Sequence, residues 1–361
     1  MQHWKTLLGV ALGQRPSLDA TPTAAEWETL FTEARRQALV AVLFAAVERL
    51  PAAQRPPRPL LLVWMAEAQR VVRLNRRLDE ELARVVARLE CDGFPVVLLK
   101  GRGVAQYYPD PDCRMTGDID VWLGAKARKN WAYSRRYGAK PRATCLHVAL
   151  PLSECVEMEA HYFPSYRFNP LANARLRRWF AAAAPEQFAH RVRLRPSGVE
   201  VAVPTDRFNR IYLLLHLYRH FLNEGVGLRH LVDYYYLLAR GCTEAERRTA
   251  QKELHRLGLT RFAGAVMYAL TDLLGLPVAN CLVPPDAVRG KRLLAEIRLS
   301  GNFGQADLRH DRPAARLGRT ARFARKCRRA FSFLQDDPAE ALSIPLFSAA
   351  HFLWRRWKGF A

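Results

Sequence analysis

Leu98-Leu99-Lys100-Gly101-Arg102-Gly103, followed after Tyr107-Tyr108-Pro109 by Arg114-Met115-Thr116-Gly117-Asp118-Ile119-Asp120-Val121, is the stretch on which the reading of this chain turns. Residues 95–99, Pro-Val-Val-Leu-Leu, are a short apolar run closed by Lys100-Gly101, the pattern of a buried strand. Residues 119–123 form a second such run, entered through two acids one residue apart. Side chains on a strand alternate with period two, so Asp118 and Asp120 share a face and can reach one divalent cation. Magnesium takes one or two protein carboxylates and leaves its other positions to water and phosphate oxygens. A site for two ions needs a third acid. Glu159 is the candidate, on a predicted strand over 156–162 able to run beside the Asp118 strand, with Glu157, Glu159 and His161 on one face. Three carboxylates let one ion activate an attacking oxygen while another neutralises triphosphate charge. Lys100 and Gly101 add a cation and a flexible backbone turn on the phosphate side.

Outward from this stretch, the middle of the chain mixes short strands and helices. Helices are expected at 104–108 and 126–137, strands at 145–150 and 156–162, and a hairpin from 191–195 and 199–203 turning at Pro196-Ser197-Gly198. Residues 1–90 carry helical spacing, as in Trp27, Leu30, Phe31, Ala34 and Ala38. Four prolines between 51 and 59 interrupt it, and an apolar stripe of Leu74, Leu78, Leu82, Val85, Val86 and Leu89 follows. Helices are again expected at 211–222, 228–239, 245–257 and 262–274, then a linker-like 276–285. The expected organisation is a helical region over 1–90, an α/β core over 91–204, a helical domain over 205–285 packed on it, and a basic helical region over 286–361.

The 361 residues suffice for two or three domains, and 50% hydrophobic with 25% charged residues excludes fibrous and wholly disordered classes. Charge is the unusual quantity: 56 Lys and Arg against 34 Asp and Glu give +22, which points to an anionic partner such as nucleic acid, nucleotide or anionic lipid. The seven cysteines form no CxxC and no zinc-finger spacing, the longest apolar run, 38–47, is too short to span a bilayer, and no cleavage signal follows the start. A cytoplasmic protein without a membrane span is expected. The densest positive charge is Arg309, Arg312, Arg316, Arg319, Arg322, Arg325, Lys326, Arg328 and Arg329, against Asp311 alone. On a helix these form a cationic face, with Arg312, Arg316, Arg319, Arg322 and Lys326 as candidate contacts to an RNA backbone, or else a solvated face or one docking on an acidic partner. Arg114 pairs with a carboxylate or meets the nucleotide. Arg229 and Asp233, at i and i+4, are expected to form an ion pair within one helix that docks the helical domain. His216 and His220 lack the pattern of a zinc site.

These residues resemble the uncharacterised nucleotidyltransferase family often called type 5, within the DNA polymerase β-like nucleotidyltransferase superfamily. The likeness rests on Leu98-Leu99-Lys100-Gly101, Tyr108-Pro109, and Arg114 with Asp118-Ile119-Asp120. It extends to Asn75, Glu159-Ala160-His161, His216, Leu228-Arg229 and Asp233, over roughly residues 25–275. It implies a nucleotidyltransferase-fold α/β (α+β) core with a mixed sheet, flanked by helical regions on both sides. It also implies a metal-dependent transferase using Mg2+ or Mn2+ that moves a nucleoside monophosphate from an NTP to an acceptor and releases pyrophosphate. Asp118, Asp120 and Glu159 match the metal-binding and catalytic acids, and Lys100, Gly101, Arg102, Gly103 and Arg114 the nucleotide side. In this superfamily the acceptor can be an RNA or tRNA end. The chain departs from the usual Gly-Gly or Gly-Ser turn, since no hydroxyl follows Gly101. The alternative reading is a catalytically degenerate fold that binds nucleotide or RNA.

Overall fold

The acid-bearing stretch lies in the middle of one six-stranded mixed sheet. In a computed structural model that describes residues 2–137, 142–154, 156–304, 307, 309 and 317–360, its strands are β1 (Val96–Leu98), β2 (Ile119–Leu123), β3 (His147–Ala149), β4 (Met158–His161), β5 (Arg191–Arg193) and β6 (Glu200–Ala202). Their order is β3-β4-β2-β1-β6-β5. β2 runs parallel to β4, and β1 parallel to β6. The β1/β2, β3/β4 and β5/β6 pairs are antiparallel.

Helices surround the sheet: α1 (Gln2–Ala11), α2 (Ala24–Arg36), α3 (Val40–Arg49), α4 (Arg58–Cys91), α5 (Arg102–Ala105), α6 (Ala127–Arg135), α7 (Pro170–Ala189), α8 (Asp206–Asn223), α9 (Leu228–Ala239), α10 (Glu244–Arg256), α11 (Thr260–Leu274), α12 (Ala287–Ser300), α13 (Arg319–Ser332) and α14 (Pro338–Trp357). Local signals explain many of the ends. Capping boxes pair Thr23 with Glu26 and Thr243 with Glu246 at the starts of α2 and α10. The long α4 begins just after Pro57, the last of the prolines read as a break being Pro59 at its first turn, where its missing N–H costs nothing.

The sheet divides two packed layers. Val96, Leu98, Ile119, Val121, Leu123, Met158 and Ala160 join Leu78, Leu82, Val85, Val86 and Leu89 of α4 in one apolar cluster. The alternate residues Val97 and Trp122 belong to a second cluster with Phe180 of α7 and with Phe208, Ile211 and Tyr212 of α8. Period two therefore puts Asp118 and Asp120 on the Trp122 face of β2, toward α8, with purely apolar residues on the other face.

One element was not expected from the sequence. α7 runs for 20 residues with Pro170 at its first turn and Pro185 inside it, and its apolar residues do not keep to one stripe. Asn169 marks its start, its side chain accepting from the N–H groups of Leu171 and Ala172. Over 309–329, the helix α13 begins only at Arg319, and Arg312 and Arg316 lie outside the described residues, as do Asp311 and Cys155.

Candidate active site

Parallel pairing of β2 and β4 brings Asp120 directly opposite Glu159. Asp118, Asp120 and Glu159 each present a carboxylate oxygen, and these atoms all lie within 4.8 Å of one another. Asp118 is the most open of the three, and Asp120 is buried. Glu157, read on the same strand face, does not join them: it is exposed and pairs with Arg142 at 2.9 Å.

Three side chains hold the acids. His161, 1% exposed, sets Nε2 2.6 Å from Asp120 Oδ1 and 3.3 Å from Glu159 Oε2. His147 lies opposite His161 in the β3/β4 register, and its Nδ1 meets the same Glu159 oxygen. Lys100, at the end of β1, places Nζ 2.7 Å from Asp120 Oδ2. Burial works against ionising Asp120, but Lys100 and the His161 hydrogen bond outweigh it and hold the carboxyl down at about 2. Glu159 behaves alike: burial opposes its charge, and the bonds from His147 and His161 hold it well below the usual carboxylate range. Asp118 goes the other way, to about 6, pushed up first by the charge of Asp120 and then by burial. Burial works against a proton on His161, yet its bonds to Asp120 and Glu159 raise its pKa overall. His147 is lowered by burial.

The turn after β1 is built for close approach. Gly101 has φ +57°, and a Cβ there would meet Thr116 Cγ2 at 3.2 Å and the Asp118 carbonyl at 3.4 Å. Lys100, Gly101, Gly117, Asp118, His216, Arg229 and His230 line one depression beside the acids. Burial lowers the pKa of His216 and His230 well below the usual histidine range, so both are neutral near pH 7.

Other residues read as nucleotide contacts face inward. Arg102 is 3% exposed and donates to both Asp79 oxygens at 2.7 Å, to Asp112 at 2.8 Å and to the Pro111 carbonyl at 2.7 Å. It braces α4 to the 110–116 loop, which Asn75 also pins through the Asp112 and Arg114 carbonyls. Gly103 is a packing position, where a Cβ would come within 3.2 Å of the Leu98 carbonyl. Arg114 borders the depression, but two of its N–H groups go to Asp233 at 2.7 Å each. That corrects the expected pairing within α9: Asp233 takes Arg114, and Arg229 donates to the Met115 carbonyl at 2.7 Å. Both residues still tie α9 to the loop that leads into β2. Of the cations read as RNA contacts, Arg319 and Arg322 are exposed, and Lys326 is half-buried with Nζ 5.6 Å from the centre of the Phe168 ring. His147 and His230 had no sequence signal, because strand register and helix packing alone bring them to the acids.

No curated protein matches the chain. The profile of the uncharacterised nucleotidyltransferases matches residues 23–133 and 145–275, which takes in β1, the acid pair, β4 and the helices through α11. The chain belongs to that family.

Proposed function

We propose that the chain is a divalent-metal-dependent nucleotidyltransferase that moves a nucleoside monophosphate from an NTP to an acceptor hydroxyl and releases pyrophosphate. The observation that carries this reading is the convergence of Asp118, Asp120 and Glu159 within 4.8 Å. The donor set fits Mg2+ or Mn2+, since it consists of hard carboxylate oxygens. In addition, Asp120 Oδ2 is buried with the Lys100 ammonium 2.7 Å away, a cation already placed where it would balance charge at the site.

Asp118, Asp120 and Glu159 would hold the metal, which supplies Lewis-acid neutralisation of triphosphate charge and a more acidic acceptor hydroxyl. The rest follows from the chain's own groups. The acceptor oxygen bonds to the α-phosphorus, the bond from that phosphorus to the bridging oxygen breaks, and pyrophosphate leaves. Glu159, kept ionised by His147 and His161, would complete the metal-holding set and so help activate the acceptor oxygen, whose proton leaves to solvent. The Lys100 ammonium and the open Gly101 turn face the phosphates.

A second reading, a nucleotide- or RNA-binding protein without turnover, draws support from Lys100 and His161, which already neutralise Asp120 within the chain. Metal-dependent pyrophosphate release from each NTP, with a cell extract as acceptor source, separates the two. Release that needs Mg2+ or Mn2+ and leaves label on an acceptor supports the enzyme. Nucleotide binding without release supports the binding protein.

A further inference from the structure

The C-terminal helix α14 is amphipathic in an unusual sense, with apolar residues on both sides. Its inner side is anchored: Ala341 and Ile344 are fully buried, Phe347 stacks on Tyr166, and Trp354 packs on Trp131 and Phe360. Its outer side carries a second stripe at helical spacing, with Leu342 55%, Leu346 75%, Leu353 65% and Trp357 77% exposed. Ala349 and Ala350 fill the gap, and the charges at that side are Arg356 and Lys358, whose Nζ lies 3.9 Å from the centre of the Trp357 ring. At 1.5 Å per residue the stripe is about 22 Å long. Among the described residues nothing covers it, and a contiguous apolar patch of this kind marks an interaction surface.

Charge selects the occupant. α13 packs against α14 and contains six Lys or Arg and no acid, with Arg319, Arg322, Arg328, Phe323 and Phe331 exposed. The acids near α14 are already engaged: Asp337 and Glu340 by Arg167, and Asp336 by Arg289 and Arg292. A second copy would bring two such cationic surfaces together against their repulsion. A polyanion such as RNA would use the arginines and leave the leucine stripe in water. An anionic bilayer takes both, since cations meet headgroup phosphates while Leu and Trp enter the acyl boundary.

We propose that the α13–α14 pair is a peripheral docking surface for an anionic lipid bilayer, with the Leu342, Leu346, Leu353 and Trp357 stripe set into the interface. No helix among the described residues is long and apolar enough to cross a membrane, so the contact is one of lying on the surface. The surface lies beyond the segment matched by the family profile, which ends at residue 275. The proposal does not depend on the site chemistry.

The test is co-sedimentation of the full chain with vesicles of phosphatidylcholine alone and of phosphatidylcholine mixed with phosphatidylglycerol. The expected result is binding to the mixed vesicles that weakens with salt, little binding to phosphatidylcholine alone, and a loss of about tenfold or more in the double variant Leu346→Glu/Leu353→Glu. Both positions are exposed, and an unchanged melting temperature confirms that the variant is folded. Failure to bind anionic vesicles overturns the proposal. So does binding that the double variant leaves intact, which would mark a purely electrostatic polyanion surface. A wild-type dimer that the variant converts to monomers, without vesicle binding, would assign the stripe to a second copy instead.

Discussion

Arg114 and Asp233, 119 residues apart in sequence, meet in a buried two-pronged ion pair with both nitrogen-to-oxygen distances at 2.7 Å. Tyr108 donates a third hydrogen bond, also 2.7 Å, to the same carboxylate. The pair fastens α9 to the loop that enters β2, four residues before Asp118. It is a structural contact of the helical layer with the acid strand, and it positions the acids without touching them.

Breaking that pair is expected to be costly. Asp233→Ala leaves a guanidinium and a phenol buried without their acceptor, and should destabilise the chain by about 3–5 kcal/mol. Urea denaturation of the single variants and of Arg114→Ala/Asp233→Ala checks this. The double variant should cost less than the sum of the singles. Additive losses would mean that the two residues are not coupled.

Asp118→Asn is the cleanest test of the site. Asp118 has no ion pair among those described, whereas Asp120 is gripped by Lys100 and His161, so Asp120→Asn strands two buried cationic groups and lowers stability as well. Asp118→Asn should bring metal-dependent pyrophosphate release to background with a normal far-UV spectrum. Turnover at the wild-type rate would remove Asp118 from the mechanism.

How far the sequence could be read follows from where each signal is stored. β1 and β2 are legible because short apolar runs end at glycine, and the face shared by Asp118 and Asp120 follows from the two-residue period. The partnership of Asp120 with Glu159 depends on β2 and β4 pairing in register, which local spacing does not encode. α7 is hidden because its apolar residues keep to no single stripe and Pro185 lies inside it. Asp233 was misassigned because the i,i+4 rule is worth only about 0.5 kcal/mol, while the buried fork offered by Arg114 is a stronger partner. Arg102 is expected on the nucleotide side together with the rest of the glycine turn. Asp79 and Asp112, which claim it, become neighbours only when α4 packs beside that turn.

The Asp118 carboxyl sets a pH dependence in the metal-free chain. Its native pKa lies near 6 against an ordinary value of 3.8, so its contribution to stability is complete below the ordinary value and is lost as pH rises through about 6. Asp118→Asn removes the repulsion with Asp120 and Glu159. With chelator present, the variant should exceed the parent by about 1 kcal/mol at neutral pH, allowing for solvent screening at this partly exposed residue. The advantage should vanish in melts carried out below the ordinary carboxylate value. A variant less stable than the parent at neutral pH would show that the acids do not repel one another there.

His161 should govern metal affinity without being a ligand in the carboxylate group. Its Nε2 is shared between Asp120 and Glu159, so it fixes both carboxylates at once and keeps both ionised. His161→Gln retains a donor but cannot carry the charge that the imidazole gains between these acids. Residues that orient ligating carboxylates typically cost 10–100-fold in affinity when replaced, so metal binding should weaken by about that factor. Calorimetric titration with Mn2+ measures the loss directly, and saturating metal should restore part of the turnover. An unchanged affinity would mean that β4 backbone pairing alone sets the acids in place, leaving His161 as packing on the α8 side of the sheet.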